Sequence, residues 1–276
     1  MKSKGFLIFA DDKTHLQQAY LCALSIKASN NKYPVSVVTD AYTESKHSEV
    51  FDEIKRIPWK NADFTQLQAE NRWKIYHITP YERTIVLDSD ILVLQNLEYF
   101  WNAVSQYQIY YPTTVFSYRQ EVITSDYYRK AFTNNKLPNF YNAFHYFEKS
   151  DFAHEFFDWM ETVTNNWQLF YGHYCKENYP NYPSMDITAA IVAKILDCDD
   201  LISNQEQTMP NLVHMKPKIQ GWKQPTSRWQ DKVGVYLNND LELKIGNHRQ
   251  NTVFHYTENT FPVQDMIRKY EKCLNR

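Results

Sequence analysis

Asp88 and Asp90 interrupt an apolar run, ERTIVLDSDILVLQNLEYFW over residues 82–101, where desolvating a carboxylate is costly. On an extended segment, side chains two apart point the same way, roughly 6 to 7 Å apart at the backbone, so the two carboxylates are expected to converge while Ser89 faces away. Paired carboxylates suit hard divalent cations. Mg2+ or Mn2+ is typically held by one or two carboxylates together with substrate phosphates. The competing reading is local: Asp88 caps a turn and Asp90 is solvated. The apolar residues Ile85-Val86-Leu87 before the triplet and Ile91-Leu92-Val93-Leu94 after it are unlike a surface turn, which favours the metal.

A metal also answers what the chain lacks. Its five glycines, Gly5, Gly172, Gly221, Gly234 and Gly246, are too dispersed for either glycine-rich loop that cradles phosphates on backbone N–H groups. A formal net charge of -2 argues against a chain built to grip nucleic acid through its phosphates. Cys22, Cys175, Cys198 and Cys273 show no Cys-x-x-Cys spacing and read as reduced, structural thiols. No stretch approaches the ~18 apolar residues of a spanning helix, and the apolar run after Met1-Lys2-Ser3-Lys4-Gly5 is too short for a signal-peptide core, so the expected compartment is the cytoplasm. Aromatic residues, 16% of the chain, serve core packing first and stacking on ring-shaped ligands second.

The acidic pair must be positioned by the elements around it. A length of 276 residues suits one large domain, and no repeat, low-complexity tract or linker divides it. GFLIFA (5–10) reads as a buried strand, followed by Asp11-Asp12 as caps and by Leu16, Ala19, Tyr20, Ala23 and Leu24 at helical spacing. YPVSVVTD (33–40) and EIKRIPW (53–59) read as further strands, and Phe64, Leu67, Asn71, Ile75 and Ile78 as one face of a second helix that Pro80 stops. This alternation predicts an α/β chain with a mostly parallel central sheet flanked by helices. Ligands then sit at the carboxyl ends of the strands, where Asp11, Thr39-Asp40 and Asp88 fall.

Beyond residue 100 the pattern loosens. Residues 111–142 show no clean period and read as long loops beside a site. AFHYF (143–147) reads as a strand, residues 150–163 as an amphipathic helix capped by Ser150, and residues 184–196 as a helix capped by Ser184. The aromatic, turn-rich segment 166–184 reads as a lip over a pocket. Short strands are expected in NLVHMKP, KVGVYL and LELKIG, the last two joined as a hairpin by Asn238-Asn239-Asp240. NTVFHYTEN and a last helix from about Pro262 follow.

Haloacid dehalogenase-like phosphohydrolases also place an apolar run before Asp-x-Asp, with the first Asp as nucleophile and the second as acid. VLDSDILV resembles that motif, and Lys194 with DCDD (197–200) resembles its later lysine and acidic pair. However, Leu92 stands where that family prefers Thr or Val, and the glycine before the later acidic group is missing. Moreover, the motif here follows about eighty residues of strand and helix instead of opening the domain.

A second resemblance is broader. Arg72, sixteen residues before Asp88, together with DSDILVLQNLEYFW, resembles the central signature of GT-A glycosyltransferases, most closely glycosyltransferase family 8 with its glycogenin-like and bacterial galactosyltransferase relatives. In that family a basic residue lies on the helix before the strand, and a short helix follows the triplet. PNFYNAFHYFEKSD (138–151) resembles the family's Pro-x-x-Phe-Asn-Ser-Gly-apolar strand, with Asn142 at the sugar-contacting Asn and Ala143-Phe144 in place of Ser-Gly. PSMDITAA resembles the segment carrying the family's Asp-Gln; Asp186 is kept, and Ile187 replaces the Gln proposed to act at the reacting carbon. The likeness spans roughly residues 5–260. In its glycine-poor, aromatic-rich style the chain also resembles glycosyltransferases of tailed bacteriophages, a few of which glycosylate modified DNA bases.

The resemblance implies a metal-dependent glycosyltransferase of GT-A fold. It implies a single domain over residues 1–276, with a nucleotide-binding half (1–100), a donor-sugar and acceptor half (101–260) and a C-terminal helix (261–276). Phe9, Ala10, Asp11, Thr39 and Asp40 would line the base and ribose of a nucleoside-diphosphate sugar, with a UDP-sugar first among them. Mn2+ or Mg2+ on Asp88, Asp90 and a late histidine, with Ser89 between the aspartates, would bridge the diphosphate. Two histidines compete for that place, His214 in NLVHMKPKIQGW and His255 in NTVFHYTENTFP. Order along the chain assigns the metal to His255, and Lys216 or Lys218, which follow His214, would meet the diphosphate. Arg72 would add charge to the leaving group, Asn142 would orient a donor hydroxyl, and Asp186 would hydrogen-bond the sugar or accept the acceptor's proton. The acceptor, whether glycan, protein or modified nucleobase, and the stereochemistry stay open. A carbohydrate-binding protein without catalysis is the non-enzymatic alternative. Each histidine also fits a hydrogen-bonded core role, and Asp186 fits the first turn of a helix.

Overall fold

The structure, a computed structural model, describes residues 2–59, 69–123, 129–204, 211–215, 229–257 and 261–274. The strands among them are β1 (Lys2–Phe9), β2 (Val35–Val38), β3 (Glu53–Lys55), β4 (Tyr81–Asp88), β5 (Ile91–Val93), β6 (Ile109–Tyr110), β7 (Phe144–Glu148), β8 (Leu212–His214), β9 (Val235–Leu237), β10 (Leu243–Ile245), β11 (His248–Gln250) and β12 (Val253–His255). The central sheet runs β3-β2-β1-β4-β7-β6. Its first four strands are parallel, β7 is antiparallel to β4, and β6 is antiparallel to β7. This is the mostly parallel α/β sheet expected, with one reversed strand.

Side-chain alternation along β1 builds two cores. Phe6, Ile8 and Ala10 pack on one face with the helix Lys13–Ala28 and the C-terminal helix Val263–Cys273. Leu7 and Phe9 pack on the other with the helices Asp151–Asn165 and Met185–Ile195. Gly5 is demanded by a close approach: a Cβ there would fall 2.3 Å from Cζ of Tyr81, whose hydroxyl pairs with Ser36 Oγ at 2.5 Å. Among the described residues no helix is long and apolar enough to cross a membrane.

After β4 the chain leaves the central sheet. Ser89 and Asp90 form a turn, so the triplet is not the extended segment expected, and Ser89 is buried. β5 then opens a small second sheet of order β5-β12-β8, with β12 antiparallel to β5 and parallel to β8. The helix Lys13–Ala28 lies beneath this turn. Its Gln18 Oε1 accepts from Ser89 Oγ at 3.3 Å, and its Ser25 Oγ accepts from the Val93 N–H at 2.9 Å. β9 and β10 form the expected hairpin, and β11 extends it to a three-stranded meander.

Three elements differ from expectation. The second helix is a 3-10 segment, Ala69–Lys74, followed by a single α turn, Ile75–Ile78; Phe64 and Leu67 lie outside the described residues. Here Lys74 turns inward, fully buried, and donates to the carbonyls of Pro58 and Trp59 and to Asn71 Oδ1. The aromatic segment after residue 166 begins with a helix, Trp167–Tyr174, because Tyr171 packs into the core while its hydroxyl donates to the Ser184 carbonyl at 2.9 Å. Finally, Ser184 precedes its helix without its hydroxyl capping it, whereas Ser150 caps as expected, accepting from the Ala153 N–H.

Candidate functional site

At the carboxyl edge of the central sheet, Asp88 and Asp90 meet His255, which β12 carries in beside Ile91. One ligating atom from each of the three lies within 4.8 Å of the others. Asp90 Oδ1 is 3.0 Å from His255 Nε2, and Asp88 Oδ1 accepts from Arg72 Nη1 at 2.5 Å. Burial pushes the Asp90 carboxyl up, but the charge and hydrogen bond of His255, its own backbone N–H and Arg72 outweigh this and hold it below the usual range. Burial likewise opposes the Arg72 charge, yet Asp88, Asp90 and Asp11 together raise its pKa. Below the site, burial and then the two aspartates drive the Cys22 thiol well above its ordinary value, so it stays neutral.

His255 has a neighbour that sequence reasoning set as its rival. His214, opposite it on β8, places Nδ1 2.8 Å from His255 Nδ1, and both rings are buried. The donor set at the turn, two carboxylates and an imidazole, suits a hard or borderline divalent ion.

A cleft of about 340 Å³ opens over this edge. Arg72, Asp88, His214 and His255 line it together with Asn142, Asp186, Asp11 and His15. Tyr182 and Pro183 also line it, so the end of the aromatic segment does reach the cleft.

Asp186 differs from the other two acids. Its Oδ1 accepts from the Asn142 N–H at 2.9 Å, and its Oδ2 accepts from Arg129. Arg129 was not singled out from the sequence, because it stands in a segment without period. Its Nε donates to Asn139 Oδ1 at 2.6 Å, another nitrogen donates to the Phe140 carbonyl, and its guanidinium lies 3.8 Å from the Phe132 ring centre and 4.2 Å from that of Tyr141. The Asn142 carbonyl is held in turn by His145 Nδ1 at 2.9 Å. His145 is fully buried and stacked on Tyr111, and its pKa is lowered to about 4, chiefly by burial, with Arg72 adding to the shift.

The residues expected around a nucleotide divide. Asp11 lines both this cleft and a neighbouring cavity of about 300 Å³ that Asp40 also lines. Asp11 pairs with His15 at 2.5 Å, and its carboxyl is lowered because His15 and Arg72 outweigh the opposing effect of burial. Phe9, Ala10 and Thr39 are buried, Phe9 beneath the Arg72 guanidinium at 5.9 Å. Thr39 Oγ1 accepts from the Ala41 N–H, and Asp40 Oδ1 from the Ile57 N–H. Lys216 and Lys218 lie outside the described residues.

No protein-family model and no curated protein matches the sequence. Solved structures do match. The bifunctional glycosyltransferase WbbM matches with a TM-score of 0.55 and 12% identity, over 98% of this chain and 50% of that one. The galactosyltransferase LgtC, solved with donor and acceptor sugar analogues, matches with a TM-score of 0.51 and 12% identity, over 97% of this chain and 95% of that one. The fold is that of the GT-A glycosyltransferases. GlyE of Streptococcus pneumoniae TIGR4 matches with a TM-score of 0.49 and 11% identity, and this chain spans 63% of its length. At such identities the likeness is one of fold. Lys194, on which the phosphohydrolase reading leans, pairs with Asp199 at 2.6 Å and does not line the cleft.

Proposed function

We propose that the chain is a metal-dependent glycosyltransferase that moves a sugar from a nucleoside-diphosphate sugar, a UDP-sugar first among the candidates, to a glycan, protein or modified nucleobase. One observation carries the reading: Asp88, Asp90 and His255, distant in sequence, bring ligating atoms within 4.8 Å of one another beside a cleft in a GT-A fold. In this reading those three residues hold Mn2+ or Mg2+. Such an ion, when bound, acts as a Lewis acid toward the leaving nucleoside diphosphate. The fit is chemical as well as geometric, since the present partners of the two carboxylates, Arg72 and His255, are groups that can carry the positive charge the pair attracts.

The chain's own residues then divide the work. Arg72 has one nitrogen engaged on Asp88, and its other N–H donors serve negative charge developing on the departing group. Asn142 orients a donor-sugar hydroxyl. Asp186, with an oxygen engaged on each side, holds the Asn142 loop and is poorly placed to accept a proton. Residues 1–100 supply the nucleotide half: Asp11 and Asp40 with the backbone at Phe9, Ala10 and Thr39 surround base and ribose, and Ser89 braces the turn. Lys216 or Lys218 completes the diphosphate site. Residues 101–260 supply the donor-sugar and acceptor half of the same domain.

The test is thermal stability with Mn2+ and a panel of nucleoside diphosphates. Stabilisation is expected only when both are present, and it should vanish in Asp90→Ala. Slow hydrolysis across a panel of nucleotide sugars then names the donor. No shift with any nucleoside diphosphate would overturn the proposal, and glycan binding indifferent to Mn2+ would make the chain a carbohydrate-binding protein instead.

A further inference from the structure

Resting on that metal reading, we infer that His214 is a positioning residue of the site: it fixes His255 in the tautomer whose Nε2 ligates a cation. β12 lies between β5 and β8, so register sets His255 beside Ile91 on one side and His214 on the other. The two rings, 4.6 Å apart at their centres, meet through Nδ1 atoms 2.8 Å apart. Two imidazole nitrogens at hydrogen-bond distance share one proton, so one ring donates and the other accepts.

His255 directs Nε2 toward Asp90, at 3.0 Å. A neutral imidazole that ligates through Nε2 carries its proton on Nδ1, and a buried Nδ1–H needs an acceptor. His214 Nδ1 is that acceptor. Carboxylates and backbone carbonyls more often fill this place behind a metal-bound histidine. A carboxylate here would add a third negative charge beside Asp88 and Asp90, whereas an imidazole orients the ring and leaves the charge unchanged. The edge of His214 also rests on Tyr141, ring centres 5.4 Å apart, and Tyr141 lies under Arg129. The histidine pair is thus buttressed by the ring that Arg129 covers. The two late histidines, rivals along the sequence, are partners in the fold.

The experiment is calorimetric titration of Mn2+, alone and with UDP, into the full chain and the variants Asp90→Ala, His214→Phe, His214→Asn and His214→Gln. Phe keeps ring bulk without nitrogen, Asn places an amide oxygen where Nδ1 was, and Gln places its amide further out. Mn2+ affinity should fall about 10- to 100-fold in His214→Phe. It should recover most of that loss in His214→Asn and stay low in His214→Gln. Should His214→Phe not fold, the Asn and Gln variants decide alone, because equal affinities would reduce His214 to packing. Wild-type binding that is lost in Asp90→Ala yet intact in His214→Phe would overturn this inference and leave the metal reading standing. A wild-type chain that binds no Mn2+ with UDP would overturn both.

Discussion

Asp186 lines the cleft, and Asp90 stands behind Asp88 and His255, which line it too, yet the surroundings of the two acids differ in kind. Asp90 lies in a turn where its partner is His255, itself a potential ligand, and Arg72 beside it holds Asp88 through a single nitrogen. Those partners can be shared with, or displaced by, an incoming ion. Asp186 gives one oxygen to a backbone N–H and the other to Arg129, which is fixed by Asn139, the Phe140 carbonyl and two aromatic rings. No arriving ligand can take that guanidinium without dismantling the loop. One carboxylate is arranged to receive and the other to hold, and residue type alone does not separate the two cases.

Isosteric amides should pull the two apart. In Asp90→Asn, metal-dependent donor hydrolysis per folded molecule should fall about 1,000-fold, because a charge that helps hold the ion is gone, beyond any stability lost with the favourable pairing to His255 and Arg72. In Asp186→Asn a single carbonyl oxygen cannot accept from both Arg129 and Asn142. That loses a partly buried charge pair, with a cost of about 3 kcal/mol in urea unfolding, while activity per folded molecule should persist at reduced level. The reverse result, an Asp186→Asn chain of full stability and no activity, would make Asp186 a participant in the chemistry and break the contrast.

The receiving side was the more legible in the sequence, for physical reasons. β1 and β4 end in apolar runs, Phe6–Phe9 and Ile85–Leu87, and β2 is rich in valine, so their carboxyl ends could be located, and an acidic pair at such an end is anomalous without a ligand. Which histidine stands beside the pair was assigned through the family resemblance, by order along the chain, because it depends on β12 inserting between β5 and β8, a long-range register no local pattern encodes. Gln18, Cys22 and Ser25 did leave a signal. They fall at i, i+4 and i+7 of a helix otherwise packed with apolar side chains, and two of them support the turn and β5. The holding side left almost none: Arg129 pairs with a residue 57 positions away, from a segment whose conformation comes from tertiary contacts.

His145 offers the finest test of the holding side. Its Nδ1–H donates to the Asn142 carbonyl at 2.9 Å, and Nε2 is buried with no partner among the described residues, so a proton there would place a charge in the core. Burial, aided by Arg72, therefore lowers the pKa from 6.5 to about 4. Between those values the unfolded chain binds a proton that the native chain refuses. Stability from this group is complete above pH 6.5 and declines on acidification by up to about 1.4 kcal/mol per pH unit until about pH 4. His47 and His77, also lowered chiefly by burial, lose stability over the same range, so the comparison must be with a variant. In His145→Asn the amide donates in place of Nδ1–H and does not titrate. Metal-free urea unfolding at pH 6, 5.5 and 5 should therefore give a slope shallower than wild type by about 1 kcal/mol per unit. Equal slopes would mean that Nε2 finds solvent or a partner in the native state, and the Asn142 loop would then be fixed from the Asp186 side alone.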